Sequence, residues 1–162
     1  EVVALRDVAA DASANVEAEV ARCGADLSVD VGRGAEVRGS RTHLSRLMQN
    51  LFSNALKFRN PGRAPQVAVR CADGAAHGAP GCWVLSVEDN GIGIDPDHGE
   101  LLFQLFRRVH GSDAYEGAGI GLAVCRKIAS LHGGRIWFAS EPGSGSTFFV
   151  ALPKNGEAAL RG

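Results

Sequence analysis

The chain has 162 residues, 45% of them hydrophobic, which suits one globular domain with a core of its own and leaves little room for a second. Lys and Arg number 17 against 18 Asp and Glu, for a formal net charge of -1, with no block of one sign along the chain; neither nucleic acid nor an anionic membrane surface is indicated as a partner. No run approaches the ~18 apolar residues of a membrane span, and Glu1-Val2-Val3 opens no targeting signal, so a cytoplasmic domain without direct membrane contact is expected, from a parent that could itself be membrane-anchored.

Leu5, Val8, Ala12, Val16, Val20 and Cys23 recur at helical spacing, which predicts one amphipathic helix over 5–23 that stops at Gly24. Leu27-Ser28-Val29-Asp30-Val31 alternates as a half-buried strand does. A second helix is predicted from Ser40–Thr42 to about Phe58. Leu44, Leu47, Met48, Leu51 and Ala55 form its apolar face, and Pro61-Gly62 follows it. Strands are expected at Gln66–Ala72 and Trp83–Glu88, joined by a Gly/Ala-rich loop.

After Asp89 the sequence predicts a glycine turn, a short helix near Glu100–Phe106, a polar segment, and a helix at about Gly119–Leu131 closed by Gly133-Gly134. Arg135–Ser140 and Thr147–Leu152 flank a Pro-Gly-Ser-Gly turn and read as a hairpin. The irregular alternation and the terminal hairpin favour an α/β two-layer sandwich, with a mixed, largely antiparallel sheet covered on one face by helices. The folded domain is expected to span 1–153, with 154–162 a flexible tail. Cys23, Cys71, Cys82 and Cys125 are scattered, with no metal-ligand spacing, and read as reduced core or near-core residues of a cytosolic protein.

Asn50, Asn54 and Lys57 are spaced i, i+4, i+7, which places them in one stripe bordering the apolar face of the second helix. Two amides and an ammonium offer oxygen to a hard cation and charge to phosphate; equally, such a stripe can be a solvated face. Asp89-Asn90-Gly91-Ile92-Gly93-Ile94 follows a strand, so a carboxylate stands at a strand end where it could accept the exocyclic amine of adenine, beside glycines that let a flat base approach. The Asn-Gly pair also signals a plain hairpin turn, although Ile92–Pro96 lacks the alternation of a return strand. Gly117-Ala118-Gly119-Ile120-Gly121-Leu122 opens a helix, where exposed N–H groups and the helix dipole favour phosphate. No strand directly precedes that run, so a dinucleotide-binding fingerprint is set aside.

In order, N-L-F-S-N-A-L-K-F (50–58), D-N-G-I-G-I (89–94), L-F-R-R-V (105–109), G-A-G-I-G-L (117–122) and G-S-G-S-T-F (143–148) closely resemble the asparagine and glycine boxes of sensor histidine kinases, members of a wider ATPase superfamily (GHKL) with the Bergerat ATP-binding fold. The resemblance runs from about Arg6 to Pro153, and the segment R-V-H-G-S-D-A-Y-E-G-A-G-I-G-L-A-V-C-R-K-I is similar to phytochrome-type kinases. It implies a domain that binds ATP and Mg2+ between helices and a closing loop. Asn50 matches the magnesium ligand, Asn54 and Lys57 residues near the phosphates, and Phe58 the aromatic beside the base. Asp89 matches the adenine-reading aspartate, and Gly91, Gly93 and Ile94 belong to the same box. Arg108 matches a basic residue of the F-Y-R-V segment, and with Asn50 and Lys57 it is implied in catalysis. Gly117, Gly119, Gly121 and Leu122 belong to the phosphate-side loop, and Thr147 matches a threonine whose hydroxyl helps hold the aspartate.

The sequence departs from the family pattern at Ala118, where threonine is common, at Ser40, where aspartate is common, and in a short lid between Arg108 and Gly117. None of His43, His77, His98, His110 and His132 stands in the His-Glu/Asp-x-x-x-Pro context of the family's phosphorylated histidine. The resemblance therefore implies transfer of the γ-phosphate to a histidine on a separate dimerisation domain of a homodimeric parent, and onward to a response regulator receiver domain. Two other readings share these residues. One is a nucleotide-dependent docking module without kinase activity. The other is a gyrase- or chaperone-type ATPase, whose E-x-x-x-N motif carries a glutamate base where this chain has Asn50, an amide that cannot take a proton.

Overall fold

The computed structural model describes residues 1–93 and 116–154, with the side chains of 116–121 left aside. A three-residue strand β1 (Val2–Ala4) leads into helix α1 (Leu5–Asn15), and a second short helix, α2 (Glu17–Cys23), follows. The single helix expected over 5–23 is thus two. Val16, at φ -108° and ψ 7°, leaves the helical region although no glycine or proline marks the break. Val16 is itself 3% exposed, and packing the bend inward decides the conformation locally. Strands β2 (Asp26–Asp30) and β3 (Glu36–Arg38) come next, and β3 pairs antiparallel with β1 as a two-stranded ribbon.

Helix α3 (Arg41–Lys57) is the spine of the core. Leu44, Leu47, Met48, Leu51, Phe52, Ala55 and Leu56 are each no more than 4% exposed, so truncating one, as in Leu51→Ala, would cost about 2–5 kcal/mol. Ser40 caps its start, its hydroxyl accepting from the His43 N–H at 3.2 Å. Serine does this as well as the aspartate more usual at that position. At the other end Arg59 Nη1 donates to the Leu56 carbonyl at 2.8 Å.

Strands β4 (Gln66–Asp73) and β5 (Cys82–Asp89), helix α4 (Glu116–Leu131), and strands β6 (Arg135–Glu141) and β7 (Gly145–Pro153) complete the described elements. The Gly/Ala-rich loop after β4 holds a turn of 3-10 helix, Gly74–His77. The main sheet has the order β2-β4-β5-β7-β6, with β2 parallel to β4 and every other pair antiparallel. Val67, Val69, Leu85, Val87, Phe148, Val150 and Leu152 point to one face and join the helices in the main core. The opposite face carries a small separate cluster in which Trp137 and Phe149 stack with ring centroids 5.3 Å apart. This is the mixed, largely antiparallel two-layer sandwich the sequence predicted.

Lys154 is tied down: its N–H donates to the Gly81 carbonyl at 2.9 Å, and its ammonium pairs with Asp73 at 2.7 Å and lies over the Trp83 ring. The remainder of the expected tail, the predicted helix near 100–106 and the short lid lie outside the described residues. Among the described residues, no helix is long and apolar enough to cross a membrane, and no three His, Cys, Asp or Glu gather as a metal cluster. The four cysteines are free thiols, and burial pushes Cys125 up to about 12 and Cys71 to about 11.

Candidate functional site

Asp89 is the last residue of β5, directly opposite Ser146 on β7. Its Oδ1 accepts from the Gly91 N–H at 2.9 Å and from the Ser146 N–H at 3.3 Å. Oδ2 accepts no hydrogen bond among the described residues. Burial pushes the carboxyl up to about 6; the two N–H groups work against that shift, and the charge of neighbouring Glu88 adds to it. A half-buried carboxylate with one oxygen committed and the other open suits a neutral amine donor.

Thr147 does not take the part expected of it. It pairs with Glu88, one residue along from Asp89, and side chains alternate between the faces of a strand, so its hydroxyl is on the other face of the sheet. Ser146 is the residue beside Asp89, and its backbone N–H supplies the contact, while its hydroxyl pairs with that of Ser140 at 2.8 Å.

The turn after Asp89 is tightly woven into its surroundings. The Asn90 side chain accepts from the Gln66 N–H at 2.8 Å and donates to the Ala64 carbonyl at 3.0 Å; the Ile92 N–H donates to the Phe58 carbonyl at 3.0 Å, and the Gly143 N–H to the Ile92 carbonyl at 2.7 Å. A Cβ at Gly91 would strike the Phe58 carbonyl oxygen, and one at Gly93, at φ +80°, the Glu141 carbonyl. These glycines therefore serve a close crossing of the protein's own backbone, whatever approach they also permit to a base.

Phe58, half-buried, ends α3, so the strand end bearing Asp89 is tied directly to the helix bearing the amides. Along α3, Asn50 is half-buried, Lys57 exposed at the last turn, and Asn54 only 7% exposed. Asn54 therefore stands within the buried face and does not merely border it as the spacing suggested. Its Nδ2 finds no hydrogen-bond acceptor among the described residues, and an unpaired buried donor costs about 1–3 kcal/mol.

Helices α3 and α4 run antiparallel. The Ser40 N–H donates to His132 Nε2 at 3.1 Å, and the Cys125 thiol to the Leu47 carbonyl at 3.5 Å. Continuing that register places Asn54 level with Ala118. The stripe of α3 thus runs toward the glycine-rich start of α4. Gly117, Gly119 and Gly121 all lie in the first two turns of α4. Leu122, at 1% exposure, seats α4 in the core and offers no surface to a ligand. Ile94 and Arg108 lie outside the described residues.

The donor set fits a cation carried in by phosphates better than a resident metal, since the described residues gather amide oxygens and a single carboxylate at this site. Sequence reasoning missed Arg63 and the Ser146 N–H. The first acts through carbonyls with no side-chain pattern, and the second differs from Thr147 only by strand parity.

The sequence model described as "Histidine kinase-, DNA gyrase B-, and HSP90-like ATPase" matches residues 39–156. Cyanobacterial phytochrome A of Nostoc sp. strain PCC 7120 is 41% identical over 142 residues, 88% of this chain and 18% of that protein. The chain spans under a fifth of the length of the first curated relatives it matches, 18% and 19%. Among solved structures, the catalytic domain of histidine kinase ThkA superposes with a TM-score of 0.78 at 23% identity, over 97% of this chain and 98% of that one. The mycobacterial sensor histidine kinase MprB does so at 0.76 and 28%, over 96% and 99%. On that evidence the chain belongs to the histidine kinase-, DNA gyrase B- and HSP90-like ATPase family, as a catalytic domain of the histidine kinase kind.

Proposed function

We propose that this chain is the ATP-binding catalytic domain of a two-component sensor histidine kinase, placing the γ-phosphate of ATP for attack by a histidine on a dimerisation domain of the same parent. The supporting observation is the continuity of the site. A half-committed carboxylate at the end of β5 connects through Phe58 to the helix of Asn50, Asn54 and Lys57, which itself runs to the glycine-rich start of α4.

Adenine would donate its exocyclic amine to Asp89 Oδ2. The phosphates would lie toward the start of α4, where a helix dipole favours anions, with Asn54 on the helix beside them and Lys57 at the edge. Magnesium, held through the Asn50 amide oxygen, would neutralise charge on the phosphates. Positioning and charge neutralisation are most of what phosphoryl transfer asks of a protein. Arg108 is proposed as a further cation at the transferring group. No described residue stands in for the glutamate base of the water-activating relatives.

The accepting imidazole comes from outside. Both ring nitrogens of His132 are engaged, Nε2 accepting from Ser40 and Nδ1, which must then carry the proton, donating to the Ile128 carbonyl at 2.8 Å. His77 rests against Phe149 on the opposite sheet face. The parent is proposed as a cytoplasmic or membrane-anchored homodimer passing phosphate to a response regulator receiver domain. Calorimetric titration with magnesium and ADP tests the reading. Saturable binding is expected, and no heat at millimolar nucleotide would overturn it.

A further inference from the structure

Arg63, in the loop between α3 and β4, makes three charge-assisted hydrogen bonds to main-chain carbonyls. Its Nε donates to the Asn90 carbonyl at 2.7 Å, and its Nη2 donates to the Gly91 carbonyl at 3.1 Å and the Gly143 carbonyl at 2.6 Å. Asn90 and Gly91 form the turn after Asp89, and Gly143 lies in the turn between β6 and β7. The first turn supplies the Gly91 N–H to Asp89 Oδ1, and strand β7, which leaves the second, supplies the Ser146 N–H.

The Asn90 carbonyl and the Gly91 N–H belong to one planar peptide unit and point in opposite directions. A guanidinium on the carbonyl side fixes the plane and polarises the N–H on the other side toward the carboxylate. Through Gly143 the same side chain holds the β6–β7 turn, whose outgoing strand carries Ser146. We propose that Arg63 is a positioning residue for the base-reading carboxylate: it orients the Asn90–Gly91 peptide and the β6–β7 turn so that two N–H groups hold Asp89 Oδ1 and leave Oδ2 for the ligand. The inference rests on the reading of Asp89 as the adenine contact.

The planar fork matters. An ammonium at position 63 could reach one or two of the carbonyls but could not span three in that geometry. Arg63 is itself solvent-exposed, so its replacement leaves the core intact.

The test titrates the 162-residue chain with magnesium and ADP as Arg63→Met, Arg63→Lys, Asp89→Asn and the double variant Arg63→Met/Asp89→Asn, and follows the Gly91 amide proton by NMR. Arg63→Met is expected to weaken ADP on the order of tenfold, the equivalent of one lost charge-assisted bond, and to move the Gly91 amide upfield. Arg63→Lys should recover only part of either change. In the Asp89→Asn background, Arg63→Met should add little, because its effect passes through that carboxylate. An equal further loss in that background, or an unmoved Gly91 amide in a folded Arg63→Met chain, overturns the positioning role. Unchanged ADP affinity in Asp89→Asn alone overturns the adenine reading instead, and the Gly91 shift still decides whether Arg63 orders the turn.

Discussion

The two ends of the candidate site are built differently. At the Asp89 end, the turn 89–93 is laced to 58–66 and 141–146 by backbone bonds, the Asn90 side chain and the Arg63 fork, and Oδ2 accepts no bond among the described residues. At the α3–α4 end, Asn54 Nδ2 is buried with no acceptor among the described residues, and the α3 stripe faces the glycine-rich start of α4. The first end is organised before any ligand arrives, which lowers the ordering cost of binding. The second offers N–H donors, which phosphate oxygens can satisfy. Selectivity for the base and handling of the phosphates are thus assigned to separate structural devices, and substitutions should separate them.

The largest effect is expected at the phosphate end. Asn50→Ala should lower transfer to the parent's histidine domain on the order of a hundredfold while leaving ADP affinity within a few-fold, because a metal ligand acts mainly on developing charge. Transfer at the wild-type rate by folded Asn50→Ala would remove the metal role and with it the division between the ends.

Next comes Asp89→Asn, which should cost adenine nucleotides about 1–3 kcal/mol of affinity by presenting an amide donor to an amine. Its pH behaviour sharpens the test. The folded carboxyl sits near 6, above its ordinary 3.8. The stability this group contributes is therefore fully present below its unfolded value and is lost as pH rises through about 6. The variant should melt higher than wild type at pH 7 and show no such advantage at pH 3.5, and its loss of affinity should shrink as the wild-type carboxyl is protonated below about 6. A melting difference independent of pH would refute the assigned titration.

Gly91→Ala places a methyl against the Phe58 carbonyl and should cost about 1–3 kcal/mol of stability, seen as a lower denaturant midpoint. The affinity loss should be confined to the base: the variant should still bind magnesium triphosphate as weakly as wild type does. The smallest effect is reserved for Ser40→Ala, at the far end of α3. Losing the cap to His43 should cost about 1 kcal/mol, a shift of about 2–4 °C in Tm for a chain of this size, with ADP affinity unchanged. A matching loss of affinity would show that the α3 start is coupled to the site.

Much of this was legible in the sequence because it repeats with a period. The α3 face, the β4, β5 and β7 strands and the order of the motifs all follow from spacing, and the sandwich follows from them. What stayed hidden has no period. The α1–α2 break at Val16 lacks a breaker residue, and the β1–β3 ribbon is too short to alternate. Asn54 reads as polar, yet it lies on the buried face of α3, 7% exposed. Thr147 and Ser146 are told apart only by which face of β7 each occupies, and that is set by register with β5. Arg63 acts across 27, 28 and 80 positions of sequence, a reach that no local pattern encodes.

The two tryptophans set a practical limit on how such experiments can be watched. Trp83 lies at the opposite end of β5 from Asp89, six residues and about 20 Å away, beneath the Lys154 ammonium; Trp137 is on the outer sheet face, stacked on Phe149 and capped by Arg135. Neither indole borders the candidate site, although both sit in packed surroundings that vanish on unfolding. Intrinsic fluorescence will therefore report denaturation faithfully and remain nearly silent to nucleotide, so the same cuvette can score folding of every variant without interference from occupancy. Binding must be read by heat, by NMR or by an optical probe introduced near Phe58.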